Sequence, residues 1–520
     1  KTIEYSNYII KEKHGIRPTK YLNQHLLNKK ETLEKIDIFE QNLKTSEKNL
    51  FSPFKIIDAI KKSLREPFED GIAFEMKSFA DCMSSNQYKG LIHAFFAERN
   101  CSKIPEISKT IPRKIDTIAI IGGGTMGSGI SVASLDAGLK VIMVEKDHES
   151  MRRGKERVTN VYKRHISKGR MSKISVKKTL SRFEISPSLQ KIKDVDLVIE
   201  AIYEDMKAKK EIFKKLDQIV RAGTILASNT SYLNIDEIAS VTKRIPDVVG
   251  LHFFSPANIM RLIEVIVSSN VSKEVIATGF YLAKKMQKVP VMAANFEGFI
   301  GNRMLMKYAK SAFYMMEDGA SPYEIDAALR EFGYPIGPFQ MFDLAGGDIG
   351  WTTRKRQAKS KKPQERYVEI ADLLCEKGYF GQKTGRGFYI YNEKNPKGLE
   401  DKFVLDLIDR ERKRKNITPK LFSKEEIIKR YMAAMINEGA NILYDKTALK
   451  PSDIDAVKIH GYAFPRFRGG PMKYADMYGL KNILSDLIFL SEEDSYFWKP
   501  SPLIEKLVGQ NKNFESLNKN

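Results

Sequence analysis

Thr117-Ile118-Ala119-Ile120-Ile121-Gly122-Gly123-Gly124-Thr125-Met126-Gly127 is the segment that sets the architecture. The β-branched run over 117–121 predicts a short strand. Gly122 to Gly127 matches G-x-G-x-x-G, and small residues then carry a helical pattern on to Gly138. A lone match is weak, but this one sits between a strand and a helix inside a strand–helix–strand unit, where it marks a dinucleotide turn. Gly122 permits the tight turn, Gly124 lets the backbone approach a pyrophosphate, and Gly127 lets helix and strand pack closely. The helix N-terminus then offers free N–H groups and a partial positive charge to the phosphate. An unrelated glycine turn is the bland alternative, and it leaves that context unexplained.

The next strand is expected over residues 141–144, closed by Glu145 roughly 20 residues beyond the first glycine. A carboxylate there accepts hydrogen bonds from both ribose hydroxyls of NAD and repels the 2′-phosphate of NADP. The alternative is an exposed strand-end acid. Further strands are expected at 196–199, 224–227, 248–253 and 262–267, with helical stretches such as 207–220 between them. Strand–helix alternation of this kind predicts an α/β, Rossmann-type doubly wound sheet, mostly parallel and covered on both faces.

Bulk properties exclude several classes. A chain of 520 residues divides into about three to four domains of ~100–200 residues. With 42% hydrophobic and 29% charged residues it has material for several cores. No apolar run approaches the ~18 residues that span a bilayer, so no membrane span is expected. Three cysteines, Cys82, Cys101 and Cys375, are odd in number and widely spaced, which suggests neither a disulfide framework nor a metal site. A reducing interior such as the cytoplasm is the expected setting. The net charge of +22 admits an anionic partner such as nucleic acid or a phosphate-rich ligand. Arg and Lys gather only in short runs such as 410–415, without interleaved aromatics, so no nucleic acid is expected. The chain begins at Lys1 with no leader and reads as a piece truncated at its N-terminus. Its last residues, Ser516-Leu517-Asn518-Lys519-Asn520, are not a Ser-Lys-Leu ending.

Residues 1–113 are polar and helical in pattern, with Phe54, Ile57, Ile60 and Leu64 at helical spacing and 103–113 reading as a linker. Residues 114–292 carry the dinucleotide-binding pattern. From about 293 the strands are expected to stop, and two helical stretches, 293–394 and 420–510, resemble each other. The first holds Asn302-Arg303, Ser321-Pro322-Tyr323-Glu324-Ile325-Asp326-Ala327, Gly333-Tyr334-Pro335 and Gly337-Pro338. The second holds Lys429-Arg430, Pro451-Ser452-Asp453-Ile454-Asp455-Ala456, Gly461-Tyr462 and Gly469-Gly470-Pro471. This reads as a duplicated helical unit. Residues 381–388 are expected to be a loop and 395–420 a charged linker.

Of seven histidines, six sit in polar or helical settings with no evident role. His252 closes the apolar run Val248-Val249-Gly250-Leu251-His252-Phe253-Phe254, just before Ser255-Pro256 turns the chain. A strand-end histidine is more often structural than catalytic. Here Glu264 lies on the next expected strand, between Ile263 and Val265, where a carboxylate is unusual unless it faces something polar. A turn between the two strands can bring Glu264 against His252, and such a pair fixes the imidazole tautomer. Oxidising an alcohol with NAD requires a proton acceptor of this kind beside the hydroxyl.

Together with Ala227-Ser228-Asn229-Thr230-Ser231 and Glu297-Gly298-Phe299-Ile300-Gly301-Asn302-Arg303, these residues resemble the L-3-hydroxyacyl-CoA dehydrogenase family in order and spacing. More narrowly, roughly residues 50–515 resemble the dehydrogenase half of bacterial multifunctional fatty-acid β-oxidation enzymes. The resemblance implies a Rossmann-type domain followed by a duplicated, all-helical C-terminal domain and preceded by a helical remnant of a crotonase-like domain. It implies that (3S)-3-hydroxyacyl-CoA and NAD⁺ become 3-oxoacyl-CoA and NADH. His252 would take the hydroxyl proton, and Glu264 would orient it and stabilise the imidazolium. Ser231 would hydrogen-bond the substrate oxygen, and Asn302 would hold the substrate. Met126, Glu145, Ala201, Ile202, Glu204, Lys209, Asn229 and Ser231 would line the cofactor with Gly122, Gly124 and Gly127.

Read from the residues alone, Lys209 also fits a solvated helix face, and Asn302 a helix cap. Lys429 stands at the matching place in the second copy, which implies that only the first copy carries the site. An acyl-CoA thioester is the implied substrate; a thiolase partner rests on the family alone, and a homo-oligomer is left open. The rivals are a dehydrogenase of small hydroxy acids, a non-catalytic protein that retains the fold, and a nucleic-acid binder. Residues 1–113, notably Ser52-Pro53-Phe54-Lys55, resemble only the last helices and linker of a hydratase domain and lack its paired glutamates and oxyanion-hole loops. The 520-residue chain is therefore expected not to hydrate enoyl-CoA, as only a full-length parent would. Enoyl-CoA consumption by the purified chain would contradict this.

Overall fold

Short runs of Ile, Val and Leu, bounded by glycine and polar turns, form eight strands. They are β1 (Thr117–Ile121), β2 (Lys140–Val144), β3 (Phe183–Ser186), β4 (Leu197–Glu200), β5 (Ile225–Ser228), β6 (Val248–Phe253), β7 (Leu262–Val267) and β8 (Val289–Ala294). In the computed structural model they pair in the order β3-β2-β1-β4-β5-β6-β7-β8. Every pairing is parallel except that of β6 with β7. Side chains alternate between two buried clusters, as a period of two demands. Ala119, Ile121, Val198 and Leu226 face one side, and Ile118, Ile120, Leu197 and Ile225 the other. Because β2 and β4 flank β1, the chain reverses direction there and opens a crevice beyond the carboxyl ends of these strands.

β3 and β8 carry no clear strand signal in the sequence. β3 is a short edge strand that stays half exposed, and Pro290 interrupts β8, which proline tolerates only because that strand also lies at an edge.

The structure describes residues 2–13, 20, 28–46, 49–358 and 362–518, and divides into two compact units, 1–89 and 90–520. The first holds the helices Thr2–Lys11, Lys29–Ser46, Ser52–Arg65 and Phe68–Ser84. Within it the Ser52–Arg65 helix packs on its successor and buries Ile57 and Leu64, while Lys61 pairs with Asp37 and Glu40 at 2.6 Å each. Parts of the stretch expected to be helical, residues 14–19, 21–27 and 47–48, lie outside the described residues.

In the second unit the two similar stretches fold alike, and buried aspartates explain why. Asp326, in the helix Pro322–Phe332, accepts from the N–H groups of Phe339 and Gln340 at 2.9 and 3.0 Å and caps the helix Pro338–Ala345. Asp455, in the helix Pro451–Tyr462, accepts from Met472 N–H at 2.8 Å and caps Pro471–Tyr478. Later in each copy, Asp343 accepts from Phe388 and Tyr389 at 3.0 and 2.9 Å, and Asp476 from Phe514 and Glu515 at 2.9 and 2.8 Å. Gly337 and Gly470 must be glycine, since a Cβ at either would fall 2.3 Å from the capping aspartate.

Two expectations fail after residue 293. The region is not free of strands: β9 (Tyr389–Asn392) and β10 (Asn395–Glu400) form an antiparallel hairpin. Residues 395–420 are not a linker either, because they contain β10 and the helix Lys402–Arg414, which buries Val404, Leu407 and Ile408. The charge run that suggested a linker has a packing role. Arg412 is buried and donates to the carbonyls of Met316, Glu317 and Ala320 at 2.7, 3.1 and 3.1 Å, satisfying the end of the helix Gly301–Asp318.

Asp453 is buried, and neither of its carboxylate oxygens has a hydrogen-bond partner among the described residues. Burial pushes its carboxyl up to about 7. The charged form is thus the penalised one, so this group lowers stability as pH rises from about 4 towards about 7. Asp453→Asn is expected to raise Tm at about pH 8 and to leave it unchanged at about pH 4. Thermal melts at both values check this, and an equal gain at each would contradict it.

Candidate active site

The glycine turn behaves as its spacing predicts. Gly122 has φ +100°, a left-handed conformation that favours glycine, and a Cβ on Gly127 would fall 1.8 Å from the Gly122 carbonyl oxygen. A Cβ on Gly124 would meet nothing within 4 Å, so the outer face of the turn is open where a phosphate would lie. The helix Thr125–Asp136 starts there with no side-chain cap, which leaves its first N–H groups for an anion. A cleft of about 630 Å³ brings together Gly122, Gly124, Glu145, Ala201 and Ile202. Open space at the turn, an uncapped helix start and a strand-end acid fit an NAD pyrophosphate and ribose.

Glu145 also braces this turn: its Oε1 accepts from Gly123 N–H at 2.5 Å, while Arg157 donates to the Gly123 carbonyl at 2.9 Å. Met126, Glu204, Lys209, Asn229 and Ser231 do not line the cleft. Met126 is half-buried at the start of its helix. Glu204 accepts from Thr230 Oγ1, Ser231 N–H and Tyr232 N–H at 2.6, 2.8 and 3.0 Å, and so holds the turn that carries Ser231. Asn229 Oδ1 accepts from Phe253 N–H at 2.8 Å and ties the end of β5 to that of β6. Lys209 is not on a solvated face. It is 1% exposed and its Nζ donates to Glu200 Oε1 at 2.7 Å. Glu200, which sequence reasoning passed over, also accepts from Ile202 N–H at 2.8 Å and Ser228 Oγ at 2.6 Å. Its signal was the same as that of Glu264, an acid in an apolar strand.

The antiparallel register of β6 and β7 sets His252 directly opposite Glu264. His252 Nδ1 lies 2.7 Å from Glu264 Oε2, and both side chains are buried. The other carboxylate oxygen accepts from the N–H groups of Ile300 and Gly301 at 3.2 and 2.9 Å, at the start of the helix Gly301–Asp318. A carboxylate can only accept, so Nδ1 keeps its hydrogen and donates it to Glu264, which leaves Nε2 of the neutral ring as an acceptor with no partner among the described residues. Phe254 and Phe299 flank the imidazole at ring distances of 4.5 and 5.7 Å. His93, one of the six histidines whose role the sequence left open, is structural, with Nε2 lying 2.8 Å from Asp455 Oδ2. His14 and His25 lie outside the described residues.

Asn302 follows the two residues that hold Glu264. Its Nδ2 lies 3.5 Å from the Ser231 carbonyl oxygen, and its Oδ1 accepts from the Tyr462 hydroxyl at 2.7 Å. Lys429, at the matching place in the second copy, pairs instead with Asp486 at 3.5 Å. The second copy nevertheless reaches the site through Tyr462, which the sequence did not single out.

Residues 117–296 match the NAD-binding domain of 3-hydroxyacyl-CoA dehydrogenases, and residues 298–391 match the C-terminal domain. The chain is 41% identical over 482 residues to the peroxisomal bifunctional enzyme of Danio rerio, a match that covers 89% of this chain and 66% of that protein. The dehydrogenase part of multifunctional enzyme 1 from C. elegans is a structural neighbour with a TM-score of 0.60 and 27% identity, covering 80% of this chain and 96% of that one. (S)-3-hydroxybutyryl-CoA dehydrogenase from Ralstonia eutropha is another, with a TM-score of 0.51 and 35% identity, covering 54% of this chain and 100% of that one. Among the described residues, no helix is long and apolar enough to cross a membrane.

Proposed function

The chain belongs to the 3-hydroxyacyl-CoA dehydrogenase family, and on that premise we propose that it oxidises (3S)-3-hydroxyacyl-CoA thioesters to 3-oxoacyl-CoA with NAD⁺ in fatty-acid β-oxidation. The observation that carries this reading is the buried His252–Glu264 pair at 2.7 Å with Nε2 left to accept a proton. Nε2 takes the proton of the substrate 3-hydroxyl as the C3–O bond becomes a carbonyl. Glu264 keeps the ring oriented and faces the imidazolium with a carboxylate already held by two backbone N–H groups. The Ser231 hydroxyl and the Asn302 amide hold the reacting oxygen. When bound, NAD⁺ supplies the nicotinamide that accepts the C3 hydride. The proton on His252 then returns to solvent.

In this reading Gly122, Gly124 and Gly127 receive the pyrophosphate, Glu145 the adenosine ribose, and Met126, Ala201, Ile202, Glu204, Lys209 and Asn229 the rest of the cofactor or the loops that meet it. Residues 114–292 form the cofactor domain, 293–394 and 420–510 the two helical copies, and 1–113 the last helices of a hydratase domain whose activity belongs to a longer parent. A thiolase partner and a homo-oligomer rest on the family resemblance. A reducing cytoplasm rests on the three free cysteines and its bacterial setting on the family resemblance alone, whereas the Danio rerio relative is named peroxisomal.

NADH formation from 3-hydroxybutyryl-CoA and a longer homologue tests the base. His252→Ala is expected to lower kcat by about 10²–10⁴, and free 3-hydroxy acids are expected to react poorly. An unchanged rate in the variant would sink the assignment. Glu145 is tested by binding. Lys146 and Arg153 line the same cleft, so removing the carboxylate leaves a basic surface facing the ribose. Glu145→Ser is expected to weaken NADH and to tighten NADPH by about tenfold or more. Titrations that leave the preference unaltered would reject this role.

A further inference from the structure

We propose that Tyr462, supplied by the second helical copy, is a positioning residue of the site: its hydroxyl decides which end of the Asn302 amide faces the substrate. This rests on the dehydrogenase reading above. An asparagine amide has two ends of nearly equal size, one accepting and one donating. Shape alone does not select between them, so a partner must. The Tyr462 hydroxyl lies 2.7 Å from Asn302 Oδ1. A phenol hydroxyl can donate or accept, and with the acceptor-only Ser231 carbonyl beyond the other end of the amide it is the donor to Oδ1. The amide oxygen is therefore taken, and Nδ2 is turned towards the loop of Ser231, whose carbonyl is 3.5 Å away. An amino group presented there can donate to a substrate oxygen. A flipped amide would present a second acceptor and repel it.

Tyr462 is itself held from three sides. Its ring lies on Gly301, where an added Cβ would come within 2.4 Å of Cε2, and Gly301 N–H is one of the donors to Glu264. The ring meets Phe254 edge to face at 5.5 Å, and Phe254 lies 4.5 Å from the His252 ring. One helical turn earlier, Lys458 places Nζ 3.7 Å from the centre of the Tyr462 ring and donates to the Tyr308 hydroxyl at 2.8 Å. Lys458 is fully buried, so its attachment to these two rings is close and desolvated. The counterpart in the first copy, Tyr334, has a different surrounding. It packs against Tyr431 and Phe464, and its hydroxyl faces Met435 Sδ at 3.9 Å. Duplication thus gave two equivalent tyrosines, and the second one reaches the site.

The test compares wild type, Tyr462→Phe, Asn302→Ala and the double variant, each as the whole chain, with 3-hydroxybutyryl-CoA and NAD⁺. Tyr462→Phe is expected to lower kcat by about 3–30-fold, with KM for NAD⁺ and Tm held near wild type. In the Asn302→Ala background the same change is expected to cost nothing further, because the amide it orients is gone. A merely structural tyrosine would cost as much in both backgrounds. Wild-type kcat in Tyr462→Phe, or additive losses in the double variant, overturns the proposal. An inactive wild type would instead bring down the dehydrogenase reading and this inference with it.

Discussion

One antiparallel pairing in an otherwise parallel sheet governs the rest of the site. A parallel connection from β6 would need a long crossover, whereas the reversal lets residues 254–261 return the chain directly. The reversal places a buried imidazole opposite a buried carboxylate. An isolated carboxylate there would be costly to desolvate. Glu264 meets that cost with a ring nitrogen on one oxygen and the N–H groups of Ile300 and Gly301 on the other. Those two N–H groups belong to the start of the helix that carries Asn302. The same carboxylate that contacts His252 therefore fixes where the first helical copy begins relative to the sheet, and with it the place of Asn302.

The sheet was legible where two signals coincide, a β-branched run and a turn residue that closes it. β1, β6 and β7 satisfy this, and their limits read correctly from the sequence alone. β3 and β8 do not, because edge strands tolerate polar residues and proline that a central strand excludes. The helix Lys402–Arg414 was hidden by its own charge. Lysine and arginine crowd its second half, and the apolar residues that anchor it, Phe403, Val404, Leu405, Leu407 and Ile408, are confined to its first two turns. Arg412 is indistinguishable from its neighbours in sequence, although it is the one that finds buried carbonyls.

Acids embedded in apolar strands proved the most informative residues for the site. Glu264 was recognised this way. Glu200 has the same signature and turned out to be a junction, accepting from Lys209, Ser228 and Ile202 at the end of β4. The network also changes how Lys209 is understood. Lys209 pairs with Glu200, which also accepts from Ser228, and so ties the ends of β4 and β5 together. Glu204 does similar work one loop further on, ordering residues 230–232 by accepting three hydrogen bonds. What the sequence could not supply was partnership across long separations. Nothing near position 302 points to position 462.

That last gap follows from the duplication. Both copies keep the features needed to fold: a buried aspartate capping the next helix, a second aspartate closing the unit, and a glycine that lets the cap approach. These are local and repeat in register, so comparing one copy with the other reveals them. The residues of the proposed site do the opposite. Asn302 is matched by Lys429, and Tyr462 has a counterpart in Tyr334 that packs into the core, so self-comparison makes the site look like noise on the repeat. The packing of the Gly301–Asp318 helix against Lys424–Tyr444, with Arg303 paired to Glu438 at 2.5 Å and to Asp445 at 2.6 Å, holds the two copies in contact. Joined in this way, one copy supplies the Asn302 amide of the proposed site and the other the Tyr462 hydroxyl that donates to it.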